Sequence, residues 1–317
     1  MARIFVTRRL PQPALDRLAA LADCWVSPYD RDLTPEELRT LCPGAEVLTA
    51  TLADRIDAGL LDARPEARLV ANYAVGYNNV DVEAARARGV TVTNTPGVLT
   101  EATADLTMAL ILDAARRVTE SDRLVRRGGF QGLNPAFLLG TDLAGKTLGV
   151  YGLGRIGEAA ARRALVFGLK IIYHNRRPNP EAEARLGARY VSFENLLAES
   201  DFLTINAPLA PETRHRFTLA EFRAMKPTSF LINVGRGPIV KEADLAEALE
   251  RRIIAGAALD VYEFEPKVEP RLLTLENVAL CPHLGSATVE TRTRMGMVVA
   301  ENVEAFLQGR VPPNKVV

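Results

Sequence analysis

Along most of this chain, short apolar, β-branched runs alternate with helical patterns, an order that few architectures accept. RIFVT (3–7), EVLTA (46–50), RLVANY (68–73) and VTVTN (90–94) read as strands. Pro13–Leu21 and Thr34–Leu41 read as helices between them, with Thr34 as N-cap and Pro35 in the first helical position. From Thr100 to Arg127 a single long helix is expected, burying Leu106, Leu110, Ile111, Ala114 and Ala115. Gly128, Gly129 and a stretch ending at Gly140 turn the pattern into loop. A second alternation follows: strand KTLGVYG (146–152), helix Ile156–Phe167, then strands LKIIYHN (169–175), FLTINA (202–207), SFLINV (229–234), AGAALDV (255–261) and VALCP (278–282). Thr288–Leu307 reads as a final amphipathic helix. Strand–helix alternation implies parallel sheets with crossover helices, and 317 residues exceed what one core usually organises, roughly 250–300. The expectation is an α/β chain of two doubly wound parallel-sheet domains. One is discontinuous, 1–99 plus 286–317, and the other is 100–285.

Composition removes several classes of function. Hydrophobic residues make up 48% and charged residues 25%, as in an ordinary globular protein. Lys plus Arg (39) equals Asp plus Glu (39) with no like-charge run, so the basic footprint needed for nucleic acid is missing. Cys24, Cys42 and Cys281 are odd in number and far apart, forming neither a disulfide framework nor a C-x-x-C metal knuckle. No metal site is expected. No apolar stretch reaches about 18 residues, and the chain runs directly into a core-like strand. These features make a cytoplasmic protein without membrane contact the expectation.

Gly152-Leu153-Gly154-Arg155-Ile156-Gly157 matches G-x-G-x-x-G, with an apolar strand leading in and a helical pattern leading out. Gly152 permits the tight turn, Gly154 lets backbone approach a pyrophosphate, and Gly157 lets helix and strand pack closely. The helix start adds free N–H groups and partial positive charge for phosphates. A dinucleotide is therefore the expected cofactor, with a plain structural turn as the other reading. Units that bind NAD place an Asp or Glu about 20 residues on, against the ribose hydroxyls. Here the strand ends in Tyr173-His174-Asn175-Arg176-Arg177, with no carboxylate. A carboxylate would repel a 2′-phosphate, whereas arginine binds one through charge-assisted hydrogen bonds. Asn175, Arg176 and Arg177 thus point to NADP(H) as preferred cofactor, with NAD(H) use left open; the plain alternative is a solvated arginine pair.

NVGRG (233–237), LDVYEFEP (259–266) and CPHLGSAT (281–288) each lie just beyond a predicted strand, where α/β sheets place ligands. They bring Arg236, Glu265 and His283, a set suited to carbonyl reduction: a cation for an anion, an acid, and a partner for the acid.

These segments resemble the D-isomer-specific 2-hydroxyacid dehydrogenase family, and most closely its glyoxylate/hydroxypyruvate reductase branch. NYAVGYNNVD (72–81), RGVTVTNTPGVLTEATADL (88–106), GKTLGVYGLGRIG (145–157), APLAPET (207–213), LINVGRG (231–237), ALDVYEFEP (258–266) and PHLGSAT (282–288) follow family signatures in order. The resemblance implies two Rossmann-like domains, a flavodoxin-like substrate domain and an NAD(P)-binding domain, with a cleft between them. It also implies a homodimer joined through the cofactor domains, acting on small 2-keto and 2-hydroxy acids. It makes His283 proton donor to the keto oxygen, a role that suits the ordinary histidine pKa of about 6.5. Glu265 would hydrogen-bond the imidazole and favour its protonated form, and Arg236 would grip the carboxylate and polarise the carbonyl. Val75 and Gly76 would offer N–H groups to the substrate, with Ser286 also contacting it; a plain turn glycine is the other reading of Gly76. Leu153, Arg155 and Ile156 would lie with the glycines on the pyrophosphate, and Thr103 and Asp260 near the nicotinamide. Pro208, Thr213, Val234, His283 and Gly285 complete the implied cofactor contacts.

One position departs from the branch. Where relatives tend to carry a Trp reaching the neighbouring subunit's active site, this chain has Leu133, and its one Trp is Trp25. The departure bears on which keto acid is taken, and not on the reaction. His174 and His215 have no evident partner in the sequence and read as surface or packing residues. Formate dehydrogenases resemble the chain but pair their histidine with Gln, and many phosphoglycerate dehydrogenases carry an added regulatory domain and prefer NAD. Another D-2-hydroxyacid specificity, or a corepressor-like protein that senses NAD(H), remain the alternatives, because a fold alone does not fix a function.

Overall fold

In the computed structural model, which describes residues 3–317, Ile4, Phe5 and Val6 have no solvent exposure, because their strand is paired on both sides. They belong to the first of two compact units, formed by the described residues up to Leu99 with Ser286–Val317. Its elements run β1 (Arg3–Val6), α1 (Gln12–Leu21), β2 (Asp23–Val26), α2 (Pro35–Thr40), β3 (Val47–Ala50), α3 (Ala58–Ala63), β4 (Leu69–Asn72), α4 (Val82–Ala87) and β5 (Thr91–Thr93). The strands form a parallel sheet in the order β2-β1-β3-β4-β5. Thr34 caps α2 in a full capping box: its hydroxyl accepts from the Glu37 N–H, and the Glu37 carboxylate accepts from the Thr34 N–H. The terminal helix, Val289–Leu307, returns to this sheet, burying Met295, Val299, Ala300 and Val303 with Ile4, Val6, Leu18 and Leu69.

The second unit, Thr100–Gly285, holds α5 (Thr100–Arg116), α6 (Val118–Arg126), β6 (Thr147–Tyr151), α7 (Arg155–Val166), β7 (Lys170–His174), α8 (Pro180–Leu186), β8 (Arg189–Tyr190), α9 (Phe193–Glu199), β9 (Phe202–Ile205), α10 (Leu219–Ala224), β10 (Phe230–Asn233), α11 (Glu242–Glu250), β11 (Gly256–Leu259) and β12 (Val278–Leu280). Its parallel sheet runs β12-β11-β10-β9-β6-β7-β8. The winding reverses between β6 and β9, the kind of switch point beside which doubly wound sheets bind ligands. Both faces are covered, which is why β6, β9, β10 and β11 are almost wholly buried rather than alternating. Ala104, Ala159 and Ala160 make a small buried cluster where α5 meets α7, and such short side chains let the helices come close. Among the described residues, no helix is long and apolar enough to cross a membrane.

Several sequence expectations are corrected. The helix expected over Thr100–Arg127 is two helices, broken at Arg117, which adopts φ 55°. The Asp113 carboxylate accepts from both the N–H and the hydroxyl of Thr119, each at 2.6 Å, so side-chain caps replace the missing helical bonds. Of the five residues expected on the buried face, Leu110, Ile111 and Ala115 are buried, while Leu106 and Ala114 are partly exposed against the same core. Strands β2 and β8 were not expected; both are short edge strands whose side chains are only partly buried, and the apolar part of β2 is just Cys24-Trp25-Val26.

Candidate active site

The glycine turn sits where β6 passes into α7. Gly152 has φ +99°, and a Cβ there would lie 2.6 Å from the Ala207 nitrogen, in the loop leaving β9. Turn and loop therefore touch backbone to backbone at the switch point, and only glycine fits. A Cβ on Gly157 would come 2.5 Å from the Gly152 carbonyl oxygen, which fixes how closely α7 approaches the turn. Gly154 is the N-cap of α7, has no side chain to satisfy the helix N–H groups, and faces open space. Free N–H groups, helix-dipole charge and room at one point fit a dinucleotide pyrophosphate. Arg155 beside them is exposed and Ile156 half-buried, whereas Leu153 is buried.

Asn175 follows β7 and reaches back to this turn. Its Oδ1 accepts from the Leu153 N–H at 2.7 Å, and its Nδ2 donates to the Leu153 carbonyl at 3.3 Å. The amide thus braces the glycine turn, a contact that spacing alone could not reveal. Arg176 and Arg177 are exposed beyond it; Arg176 stands 3.6 Å from the Glu212 carboxylate. Glu212 belongs to the loop after β9, where the Thr213 hydroxyl donates to the Pro208 carbonyl at 2.9 Å and accepts from the Ala210 N–H at 2.8 Å. Thr213 therefore shapes the loop that carries Pro208.

At the same end of the sheet, β10, β11 and β12 are neighbours, and their following loops bring Arg236, Glu265 and His283 together. His283 Nδ1 lies 2.8 Å from Glu265 Oε2. A carboxylate only accepts, so Nδ1 carries the proton of this bond and Nε2 is left for other chemistry. The other Glu265 oxygen accepts from the Tyr262 N–H at 3.0 Å. Burial pushes the Glu265 carboxyl up, but the His283 hydrogen bond and charge, the Tyr262 N–H and the Arg236 charge together hold it below its ordinary range. Burial works against the Arg236 charge and Glu265 opposes that shift; a guanidinium keeps its proton regardless. Arg236 donates to the Gly235 carbonyl at 2.8 Å.

His283 has φ 55°, unusual for a residue with a side chain. The strain is held by Asp260, which is 1% exposed. Its carboxylate accepts from the Leu284 N–H at 2.6 Å and the Gly285 N–H at 2.8 Å, and its carbonyl accepts from the His283 N–H at 2.9 Å. Burial raises the Asp260 carboxyl despite those N–H groups and the His283 charge. The Thr103 hydroxyl donates to the Gly285 carbonyl at 3.0 Å, tying the start of α5 to the same loop. Val234 is buried at the end of β10.

Within the first unit, the Val75 and Gly76 carbonyls accept from the side-chain amides of Asn94 (2.8 Å) and Asn72 (2.9 Å). Among the described residues their own N–H groups have no protein acceptor. Ser286 opens the segment leading to the terminal helix, its carbonyl accepting from the Thr288 N–H at 2.9 Å. The two histidines expected to lack partners both have them. His174 Nδ1 lies 2.9 Å from the Val191 carbonyl, and its ring stacks on Tyr151 and Tyr190. His215 Nε2 lies 2.5 Å from Glu263 Oε1, a pairing across 48 residues that no local pattern reveals.

Residues 108–285 match the family model described as the NAD-binding domain of D-isomer-specific 2-hydroxyacid dehydrogenases. The chain belongs to this family. A glyoxylate reductase of Aeropyrum pernix is 50% identical over 99% of this chain and 95% of its own length. A solved structure from Thermus thermophilus is 46% identical, covers 99% of this chain and 100% of its own, and has a TM-score of 0.93. An NADPH-dependent glyoxylate/hydroxypyruvate reductase of Sinorhizobium meliloti, solved with NADP and malonate, is 36% identical with a TM-score of 0.86, covering 100% and 97%. The chain is thus a D-2-hydroxyacid dehydrogenase of the glyoxylate reductase branch, with a nicotinamide cofactor domain.

Proposed function

We propose that this dehydrogenase reduces glyoxylate and hydroxypyruvate with NADPH, using His283 as proton donor. The observation that carries the reading is the His283–Glu265 hydrogen bond at 2.8 Å, held at adjoining strand ends with Arg236. The nicotinamide of a dinucleotide held at the glycine turn would supply the hydride that the carbonyl carbon takes. His283 Nε2 gives its proton to the carbonyl oxygen as negative charge grows there. Glu265 holds Nδ1–H, fixing the ring orientation and stabilising the protonated imidazole. Arg236 binds the carboxylate and stabilises the developing oxyanion. The free N–H groups of Val75 and Gly76, with Ser286, are assigned to the substrate carboxylate, as the family resemblance implies.

The turn Gly152–Gly157, with Leu153, Arg155 and Ile156, would hold the pyrophosphate. Pro208, Thr213, Val234, Thr103, Asp260 and Gly285 would line the rest of the cofactor. Arg176 and Arg177 would bind a 2′-phosphate; their exposure, the missing carboxylate and the NADP-bound relative support that choice. Exposed Val118, Val125, Phe130, Leu133 and Leu139 on α6 and its following loop support a homodimer through the cofactor domains. The test is a panel of glyoxylate, hydroxypyruvate and pyruvate with each cofactor. The reading expects the highest kcat/KM for NADPH with one of the first two; a preference for NADH, or for pyruvate, contradicts it.

A further inference from the structure

We propose that Glu242 is a positioning residue for the Glu265–His283 pair, a role that rests on the catalytic reading above. Glu265 lies on the loop that follows β11. Glu242 opens α11, is 5% exposed, and holds that loop on both sides of Glu265. Its Oε2 accepts from the Glu263 N–H and its Oε1 from the Glu269 N–H, each at 2.7 Å. Glu263 returns the contact: its Oε2 accepts from the Glu242 N–H at 3.0 Å, capping α11, and its Oε1 takes His215 Nε2. His215 in turn donates its backbone N–H to the Pro238 carbonyl at 2.8 Å, two residues beyond Arg236.

A buried carboxylate facing two others is an expensive way to begin a helix. Burial pushes the Glu242 carboxyl up, the Glu269 and Glu263 N–H groups oppose this, and the Glu263 and Glu269 charges add to it. What the group achieves in return is a loop fixed at 263 and 269, so that Glu265 between them meets His283. The charged groups concerned are few. Glu263, Glu269 and Tyr262 face Glu242, with Arg271 paired to Glu269 at 2.8 Å; Asp244 and Glu263 face His215, and His283, Arg236, Asp260 and Tyr262 face Glu265.

In Glu242→Gln one acceptor oxygen becomes an NH2 group opposite a backbone N–H, releasing one end of the loop. Its kcat for glyoxylate with NADPH should fall by roughly 10- to 100-fold, the scale of a catalytic group displaced by about an ångström. The alkaline limb of kcat against pH should move to lower pH, as it should in Glu265→Gln, where protonated His283 loses its carboxylate partner, while NADPH affinity holds. Glu242→Asp keeps both acceptor oxygens and should recover part of the loss; it also serves if the Gln variant folds poorly. Asp201→Asn is the stability control. It turns one of the two oxygens that accept from the Thr147 N–H and Lys226 into an NH2 group and removes the charge opposite Lys226, all at the opposite end of the sheet, and should lower the melting temperature without moving kcat or the pH limb. A Glu242→Gln protein that loses stability like Asp201→Asn but keeps wild-type kcat and pH profile overturns the proposal. An unmoved profile in Glu265→Gln as well overturns the catalytic pair and this role with it.

Discussion

Arg176→Ala isolates the cofactor choice, because the structure asks almost nothing else of that side chain. It is 87% exposed, and its one ion pair among the described residues is with Glu212 at 3.6 Å, itself 55% exposed. A surface pair of this kind is worth about 0–1 kcal/mol, so the variant should fold with an almost unchanged melting temperature. A guanidinium on a 2′-phosphate makes a charge-assisted hydrogen bond of about 1.5–3 kcal/mol, and at about 1.4 kcal/mol per tenfold its loss weakens NADPH binding about 10- to 150-fold. NADH has no phosphate there and should bind nearly as before. The assay is fluorescence titration of both cofactors into both proteins at one fixed ionic strength, since screening would blur the difference. Equal losses for the two cofactors, or none for NADPH, refute the assignment of Arg176 to the 2′-phosphate.

Gly152→Ala should lower stability by about 1–3 kcal/mol and weaken both cofactors together, because φ +99° and an Ala207 nitrogen 2.6 Å away leave no room for a methyl group; thermal unfolding and cofactor titration check it. Glu265 gives an acid-side prediction. Its folded carboxyl is held below the ordinary value near 4.3, so its stabilisation is complete above that pH and is lost as pH falls through the lowered value. The stability difference between wild type and Glu265→Gln, from denaturant unfolding at several acid pH values, should therefore shrink as pH falls from the ordinary carboxyl range through the lowered value. A difference that grows on acidification would reverse the sign and contradict the pairing.

The alternation of apolar runs and helical patterns carried the two parallel sheets, because a sheet covered on both faces needs strands that are apolar throughout. The site was legible where its residues follow strands: the turn Gly152–Gly157 and the ends of β10, β11 and β12 at Arg236, Glu265 and His283. What escaped were contacts that depend on the folded path. The edge strands Asp23–Val26 and Arg189–Tyr190 bury too little to leave a pattern, and the break at Arg117 depends on Asp113 capping Thr119. The Asn175 brace on Leu153, the Asp260 clamp on the loop after His283, and the Glu242–Glu263–His215 chain span 21 to 48 residues, beyond any local periodicity.

The central claim is that His283 delivers the proton. A proton needed only at the barrier affects turnover far more than binding. The decisive measurement is the rate of NADPH consumption with saturating glyoxylate in His283→Ala, beside NADPH binding to the same protein. The account predicts a turnover number lower by roughly 10²–10⁴, a Michaelis constant changed comparatively little, and cofactor affinity intact. Near-normal turnover in His283→Ala would contradict it and assign the proton to water or to another side chain.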